Sequence, residues 1–351
     1  MRIFRFTGIW MRTFREISAI VMLSATACLR AVASPGWTVS DRIPVSGDGN
    51  WDYATLQAEQ HRLYVAHQDR MAVIDLSSRT EIRSIPGHEI HGVALAPELN
   101  RGFVSDGEAG NVILFDLKTL EVNRTIQAQP DADAICYEPV TRRIFTFNGD
   151  SHNATIIDAV RAQIVGTLSL DGQPEFAQTD GRGAIFVNIE DKDEVLKIDA
   201  AGAKVSERWP LPARSNPSSM GIDLQHNRLF VGCRNQTLLV VDSLSGETVA
   251  TLPIGKWVDA TVYDPVRRRV FACCGDGTLT VVRQDSADSY TIDEVVQTEL
   301  GVRTMAFDSA TNIIYAPSAK LSPISPQDPH PHPRPIPGTF HILVLTEATK
   351  K

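Results

Sequence analysis

The sequence predicts an all-β fold, a seven-bladed β-propeller with four antiparallel strands per blade. Two observations carry that prediction. The first is a recurring apolar triplet. It begins at Leu63 (LYV), Gly102 (GFV), Ile144 (IFT), Ile185 (IFV), Leu229 (LFV), Val270 (VFA) and Ile314 (IYA), at intervals of 39, 42, 41, 44, 41 and 44 residues. The second is an Asp that closes the next apolar run, at Asp75, Asp116, Asp158, Asp199 and Asp242. Runs of three or four Leu, Val, Ile and Phe bounded by Gly, Asn and Asp read as strands. A period near 42 residues built from such strands is the signature of a propeller blade.

The fifth copy shows the unit at its clearest. In NRLFVGCRNQTLLVVD, Leu229-Phe230-Val231 and Leu238 to Val241 flank a polar turn and form a hairpin. A short alternating strand precedes the hairpin, as in Thr261-Val262-Tyr263, and a polar-apolar strand follows it, as in Thr248 to Leu252. A lone four-stranded sheet of this kind leaves both faces uncovered; stacking the sheets in a ring covers them. No helical periodicity occurs beyond the first thirty or so residues.

Seven triplets predict seven blades, but the last has only three strands of its own: Met305 to Phe307, Ile313 to Ala316 and Phe340 to Leu345. Trp37 to Val45 (WTVSDRIPV) precedes the first blade and resembles an outermost strand. The prediction is that this N-terminal strand completes the last blade and closes the ring, which removes a frayed edge. Between the second and third strands of that blade lies Pro317 to Gly338, with eight prolines. Proline removes amide donors and favours extended polyproline geometry, so residues 317–338 read as an excursion rather than as more sheet.

The first 33 residues read as an export signal and residues 34–351 as one propeller domain. Arg2, Arg5, Arg12 and Arg15 form a basic region, Ile17 to Leu29 an apolar core, and Ala31-Val32-Ala33 a cleavage site before Ser34. Met11 is a second candidate start. The apolar run is short for a membrane span, so a periplasmic or secreted location without stable membrane insertion is expected. After cleavage the chain carries 29 basic and 41 acidic groups, a net charge of −12. That excludes electrostatic binding to nucleic acid or to an anionic membrane, where neutralised phosphate supplies most of the affinity. Cys136, Cys233, Cys273 and Cys274 remain. They read as buried thiols, and a Cys233–Cys274 bridge requires neighbouring blades to bring the two Cα atoms within about 7 Å.

The LYVAHQDRMAVIDL, FVSDGEAGNVILFDL and LFVGCRNQTLLVVDSLSGETVATLPIG segments resemble the YVTN-repeat β-propellers, and among them the YncE-like exported proteins. The Pro-rich insert followed by PGTFHILVL resembles the same family. The fourth blade, where AAGAKVSERW follows Asp199, and the sixth, where Arg283 replaces the Asp, depart from the pattern. The Gly-His…Trp-Asp pattern of WD40 repeats and the double Gly of kelch repeats are absent.

The chemistry is expected at the channel mouth. Eleven positions before each triplet stand Asp52, His91, Asp133, Pro174, Ser218, Asp259 and Arg303, with Glu175 next to Pro174. These positions fall where each innermost strand begins. Asp52, His91, Asp133, Glu175, Ser218, Asp259 and Arg303 are therefore the candidate ligand-binding ring; the alternative is a polar lining around channel water. The turns between second and third strands put more acids on the same face, among them Asp106, Asp191, Asp193 and Asp276, and His67, His88, His91, His152, His330 and His332 all map to that face. Imidazole and carboxylate together suit zinc, copper or iron, although no metal-ligand spacing arranges them in advance. No cofactor is predicted from the motifs, and a divalent metal is the one candidate. The sequence has no Gly-x-Ser-x-Gly, no His-Glu-x-x-His, no phosphate-binding glycine loop and no Cys-x-x-Cys-His. The expected function is thus a non-catalytic, monomeric binding scaffold for an envelope protein, a peptide or a small ligand. The alternative is a metal-dependent lyase or lactonase, or a tetrapyrrole-handling propeller of the haem d1 type.

Overall fold

A computed structural model describes residues 36–323 and 333–348. The proposed export signal and the His330 and His332 of the Pro-rich insert lie outside the described residues. Seven four-stranded antiparallel sheets are present, which makes the chain a seven-bladed β-propeller. Three single 3-10 turns, at Ala58–Gln60, Pro97–Leu99 and Glu190–Lys192, are the helical elements among the described residues. No helix there is long and apolar enough to cross a membrane.

The innermost strands are Trp51–Gln57, Ile90–Ala96, Ala132–Glu138, Pro174–Thr179, Pro217–Asp223, Val258–Asp264 and Ala306–Asp308, in blades 1 to 7. In each blade the predicted triplet lies in the second strand, which is buried on both faces because neighbouring blades cover it; Arg228–Cys233 is buried at every residue. Alternate residues of one blade serve different cores. Phe230, Leu238 and Val240 pack towards Val258 and Val270 of blade 6, whereas Leu229, Val231 and Leu239 pack towards Phe186 and Trp209 of blade 4.

The recurring Asp ends the third strand and caps the turn into the fourth. Oδ1 of Asp116 accepts hydrogen bonds from the amides of Lys118 and Thr119, both at 2.8 Å. Asp158, Asp199 and Asp242 each take two amides in the same way. Four residues after each of the five Asp the backbone has positive φ, at Arg79, Leu120, Ala162, Ala203 and Gly246. A short carboxylate that holds the turn's amides stabilises this geometry without a β-branched residue in it. Blade 6, which has Arg283 instead, uses a longer hairpin, Thr278–Ser286 with Ser289–Gln297, and Arg283 pairs with Asp285 at 2.7 Å.

Ring closure follows the expectation. Trp37–Pro44 is the outermost strand of blade 7 and runs antiparallel to His341–Glu347, with Trp37 opposite Glu347 and Pro44 opposite His341. Trp37 packs edge-on against Phe271 of blade 6 at 5.1 Å between ring centres and against Phe307 at 6.5 Å. The insert differs in part from the sequence reading. Strand Ile313–Ser318 runs through Pro317, and the two legs of the insert pair with each other. The Ser322 amide donates to the Arg334 carbonyl at 2.8 Å, and the Ile336 amide to the Lys320 carbonyl at 2.7 Å. Pro333, Pro335 and Pro337 alternate with Arg334 and Ile336, so the residues with amides can still face the opposite leg.

Candidate functional site

Each innermost strand of blades 1 to 6 opens on a register irregularity. The breaks fall between Trp51 and Ala54, Ile90 and Val93, Ala132 and Ile135, Pro174 and Ala177, Pro217 and Ser219, and Val258 and Ala260. Asp52, His91, Asp133, Glu175, Ser218 and Asp259 occupy these breaks. A bulge frees a residue from the ladder and re-aims its side chain, which is how this strand position reaches the channel mouth in blades 1, 2, 3, 4 and 6. In blade 4 Glu175, not Pro174, holds the polar position.

Three clusters result. In the first, His91 Nδ1 lies 2.7 Å from Asp52 Oδ2 and 3.5 Å from Asp133 Oδ1. In the second, Arg303 Nε donates to Asp259 Oδ2 at 2.8 Å and its NH2 to the Trp51 carbonyl at 2.9 Å, with the guanidinium 6.0 Å over the Trp51 ring. In the third, Arg234 pairs with Glu175 and, at 3.2 Å, with Glu190. Ser218 is placed differently. It is fully buried and its hydroxyl donates to the Val258 carbonyl at 2.6 Å, so it ties blade 5 to blade 6 rather than facing the mouth.

A cavity of about 750 Å³ sits over these clusters. Asp52, His91, Asp259, Arg303, Arg234 and Glu89 supply its charge, and Trp51, Trp257, Leu300, Leu321, Pro333 and Pro335 supply apolar wall. Leu321, Pro333 and Pro335 come from the two legs of the Pro-rich insert, which therefore borders the mouth. Beneath the ring, Tyr53 and Phe176 meet edge-on at 5.3 Å and line a second cavity of about 490 Å³ bounded by all seven innermost strands.

The electrostatics are unbalanced. Among the described residues, Asp52, Glu89, Asp133, Glu175, Glu190 and Asp259 face only His91, Arg234 and Arg303 as basic partners. Burial pushes Asp133 well above the usual carboxylate range; His91 opposes this, and the charges of Asp52, Asp131 and Asp259 add to it. Burial likewise raises Glu175, helped by Asp133 and Asp259 and opposed by Arg234. Asp259 is raised by burial, against the pull of Arg303. For His91, burial works against the charged form, but the hydrogen bond to Asp52 and the charges of Asp133, Asp52 and Glu89 outweigh it, and the imidazole is raised to about 10. Tyr53 is pushed up by burial and by the same four ring acids. A site in which carboxylates repel one another is short of positive charge.

The other face-directed acids do something else. Oxygens of Asp106 accept the amides of His88 and Glu89, Asp191 accepts that of Gln173, Asp193 those of Arg214 and Asn216, and Asp276 that of Lys256. They fasten the loops between blades and are committed to main chain. The histidines separate too. His67 is fully buried and stacked on Phe340 at 3.8 Å, His88 is exposed beside Asp106, His152 is an exposed turn residue, and His91 alone of the described histidines joins the ring. Arg234, Trp257, Glu89 and Tyr53 were not in the predicted ring. Arg234 was legible in principle, since it occupies the same turn that carries the acids in other blades. Trp257 lies two residues before Asp259, the strand position from which the ring was read. The four cysteines of the described chain are free and buried.

No protein-family description matches this chain, and no curated protein does. Among solved structures, the WD40 repeats of RRP9 match with a TM-score of 0.73 at 8% identity, over 89% of this chain and 98% of that one. A structure of U3-55K matches with a TM-score of 0.72 at 8% identity, over 88% of this chain and 98% of that one. Hydrazine synthase of Kuenenia stuttgartiensis matches with a TM-score of 0.66 at 13% identity, over 78% and 93%. Likeness at these identities is likeness of fold, and places the chain among seven-bladed β-propellers.

Proposed function

We propose that this chain is an exported, non-catalytic binding scaffold of the YncE-like kind, and that it takes a positively charged small ligand, or a basic side chain of a peptide, at the channel mouth. The observation that carries the reading is the excess of half-buried carboxylates at the mouth, Asp52, Asp133, Glu175, Glu190 and Asp259 against His91, Arg234 and Arg303 among the described residues, beside a cavity of about 750 Å³. Charges of one sign lining a low-dielectric cleft attract the opposite sign and focus it there. The basic groups present do not satisfy the site, because each is already paired. Trp257, 59% exposed, adds an aromatic face, which favours ammonium and guanidinium groups.

Cavities of this size hold small ligands, with apolar walls and a few convergent polar groups. Among the described residues no nucleophile with an adjacent base is assembled there: Ser218 is committed to the Val258 carbonyl, and the cysteines are buried, with Cys233 and Cys274 pushed up to about 12 by burial. Export rests on the sequence of the first 33 residues, and detection of a mature N-terminus at Ser34 by mass spectrometry tests it.

Tryptophan fluorescence provides the test of binding. Spermidine, choline and arginine should quench or shift the emission of the wild-type protein, with weaker effect as salt rises. Citrate and glutamate should not. Anion binding, or cation binding that survives Asp133→Asn together with Asp259→Asn, would overturn the reading.

A further inference from the structure

We propose that Asp52, His91 and Asp133 form a three-blade centre for one divalent first-row transition-metal ion at the channel mouth. The proposal deepens the cation-binding reading and rests on it. The three residues occupy the same strand position in blades 1, 2 and 3, and one ligand atom from each lies within 4.8 Å of the others. Metal–nitrogen and metal–oxygen bonds of about 2.1 Å place neighbouring ligands about 3 Å apart and opposed ligands about 4.2 Å apart. The separations from His91 Nδ1, 2.7 Å to Asp52 and 3.5 Å to Asp133, straddle the value for neighbours.

Two further observations point to an ion rather than to a self-contained ion pair. Oδ1 of Asp133 is buried and has no hydrogen-bond partner among the described residues. A buried carboxylate oxygen without a donor is costly, and an ion satisfies it. His91 Nε2 is buried against Gly107, where a Cβ would come within 2.5 Å of it. That contact fixes the ring so that Nδ1 is the nitrogen offered to the carboxylates. One imidazole and two carboxylates suit Zn²⁺, Mn²⁺ or Fe²⁺ over softer ions. Three protein ligands leave positions for water or for donors of a ligand in the adjoining cavity. On binding, the ion replaces the hydrogen that Nδ1 shares with Asp52.

The test uses tag-free mature protein stripped with a chelator, carrying His330→Ala and His332→Ala so that neither imidazole contributes. Mn²⁺ is titrated and followed by electron paramagnetic resonance, and Co²⁺ by its visible absorption. One ion per chain is expected. Asp133→Asn and His91→Gln should each weaken binding by about tenfold or more, and Gly107→Ala should weaken it without removing a donor. Asp150→Asn, in an exposed turn outside the ring, should leave both the stoichiometry and the affinity unchanged. Asp133→Asn removes a buried charge and is expected to stay folded, which a thermal melt verifies. Absence of stoichiometric binding, or binding unaltered in both Asp133→Asn and His91→Gln, overturns the metal centre. If spermidine still shifts wild-type fluorescence in that case, the cation-binding reading stands; if neither probe binds, both fall.

Discussion

His91 Nδ1 stands 2.7 Å from Asp52 Oδ2, although the two residues are 39 positions apart and belong to different blades. The contact exists because both strands break register at the same point. It makes the stability of the ring depend on the protonation of one imidazole.

That dependence has a definite sign. His91 is raised to about 10 in the folded chain, from an ordinary value near 6.5. The stabilisation is therefore fully present below about pH 6.5 and is lost as pH rises through about 10. Replacing His91 by Gln should lower the unfolding free energy by roughly 2–4 kcal/mol at pH 6. Urea denaturation should show this gap closing by pH 10.5. An equal gap at both pH values would mean that Gln is deficient in packing rather than in charge.

His67 predicts the opposite trend. Both ring nitrogens are buried without partners among the described residues, and burial, aided by Arg70, lowers it to about 4. Its contribution is present above about pH 6.5 and is lost as pH falls through about 4, up to about 3 kcal/mol for a shift of this size. His67→Leu should keep the core filled and flatten the acid limb of the stability profile. A His67→Leu protein that loses stability between pH 6.5 and 4 as steeply as the wild type would refute the assignment.

Trp37 is 3% exposed and holds the closing strand to blade 6. Trp37→Ala should cost about 3–5 kcal/mol, the range for truncating a buried aromatic. Arg42→Ala on the same strand breaks an exposed pair with Glu299 and should cost no more than about 1 kcal/mol. Comparable losses from both would show that the strand is held by its ladder alone.

The recurring Asp is predicted to be structural. Asp116→Ala leaves the amides of Lys118 and Thr119 without their acceptor and should cost about 1–2 kcal/mol. Removing the exposed Asp150, in the turn between Arg143–Asn148 and Asn153–Asp158, should stay within about 0.5 kcal/mol. Denaturant midpoints of the two variants settle the comparison.

The sequence carried the fold plainly because the blade repeats locally: triplet, terminal Asp and spacing are all readable within 42 residues. Even the closing strand was legible, since blade 7 lacked a fourth strand and Trp37 to Val45 had no other place. The site was legible only as a ring of positions. Asp52, His91, Asp133, Glu175 and Asp259 reach the mouth because the bulge recurs in blades 1 to 6, and Arg303 reaches it from the segment that precedes the innermost strand of blade 7. Ser218 does not, since a hydroxyl can satisfy a neighbouring carbonyl whereas a carboxylate cannot. Asp106, Asp191, Asp193 and Asp276 looked equivalent to the ring acids in sequence. What separates them is whether the loop between blades turns an amide towards them, and that depends on tertiary packing. Arg234 was missed for the same reason, because its value lies in meeting Glu175 of the neighbouring blade, 59 positions away.

The central claim is that the ring carboxylates are kept for binding at a cost in stability. Asp133→Asn tests it most directly, measured twice on one preparation: melting temperature at pH 7, and affinity for spermidine by fluorescence. Asp133 is raised in the folded state, so its ionised form opposes folding near neutral pH, increasingly as pH rises from about 4. The account predicts a higher melting temperature and a weaker affinity in the variant. A variant that melts lower than the wild type and binds spermidine equally well would contradict it.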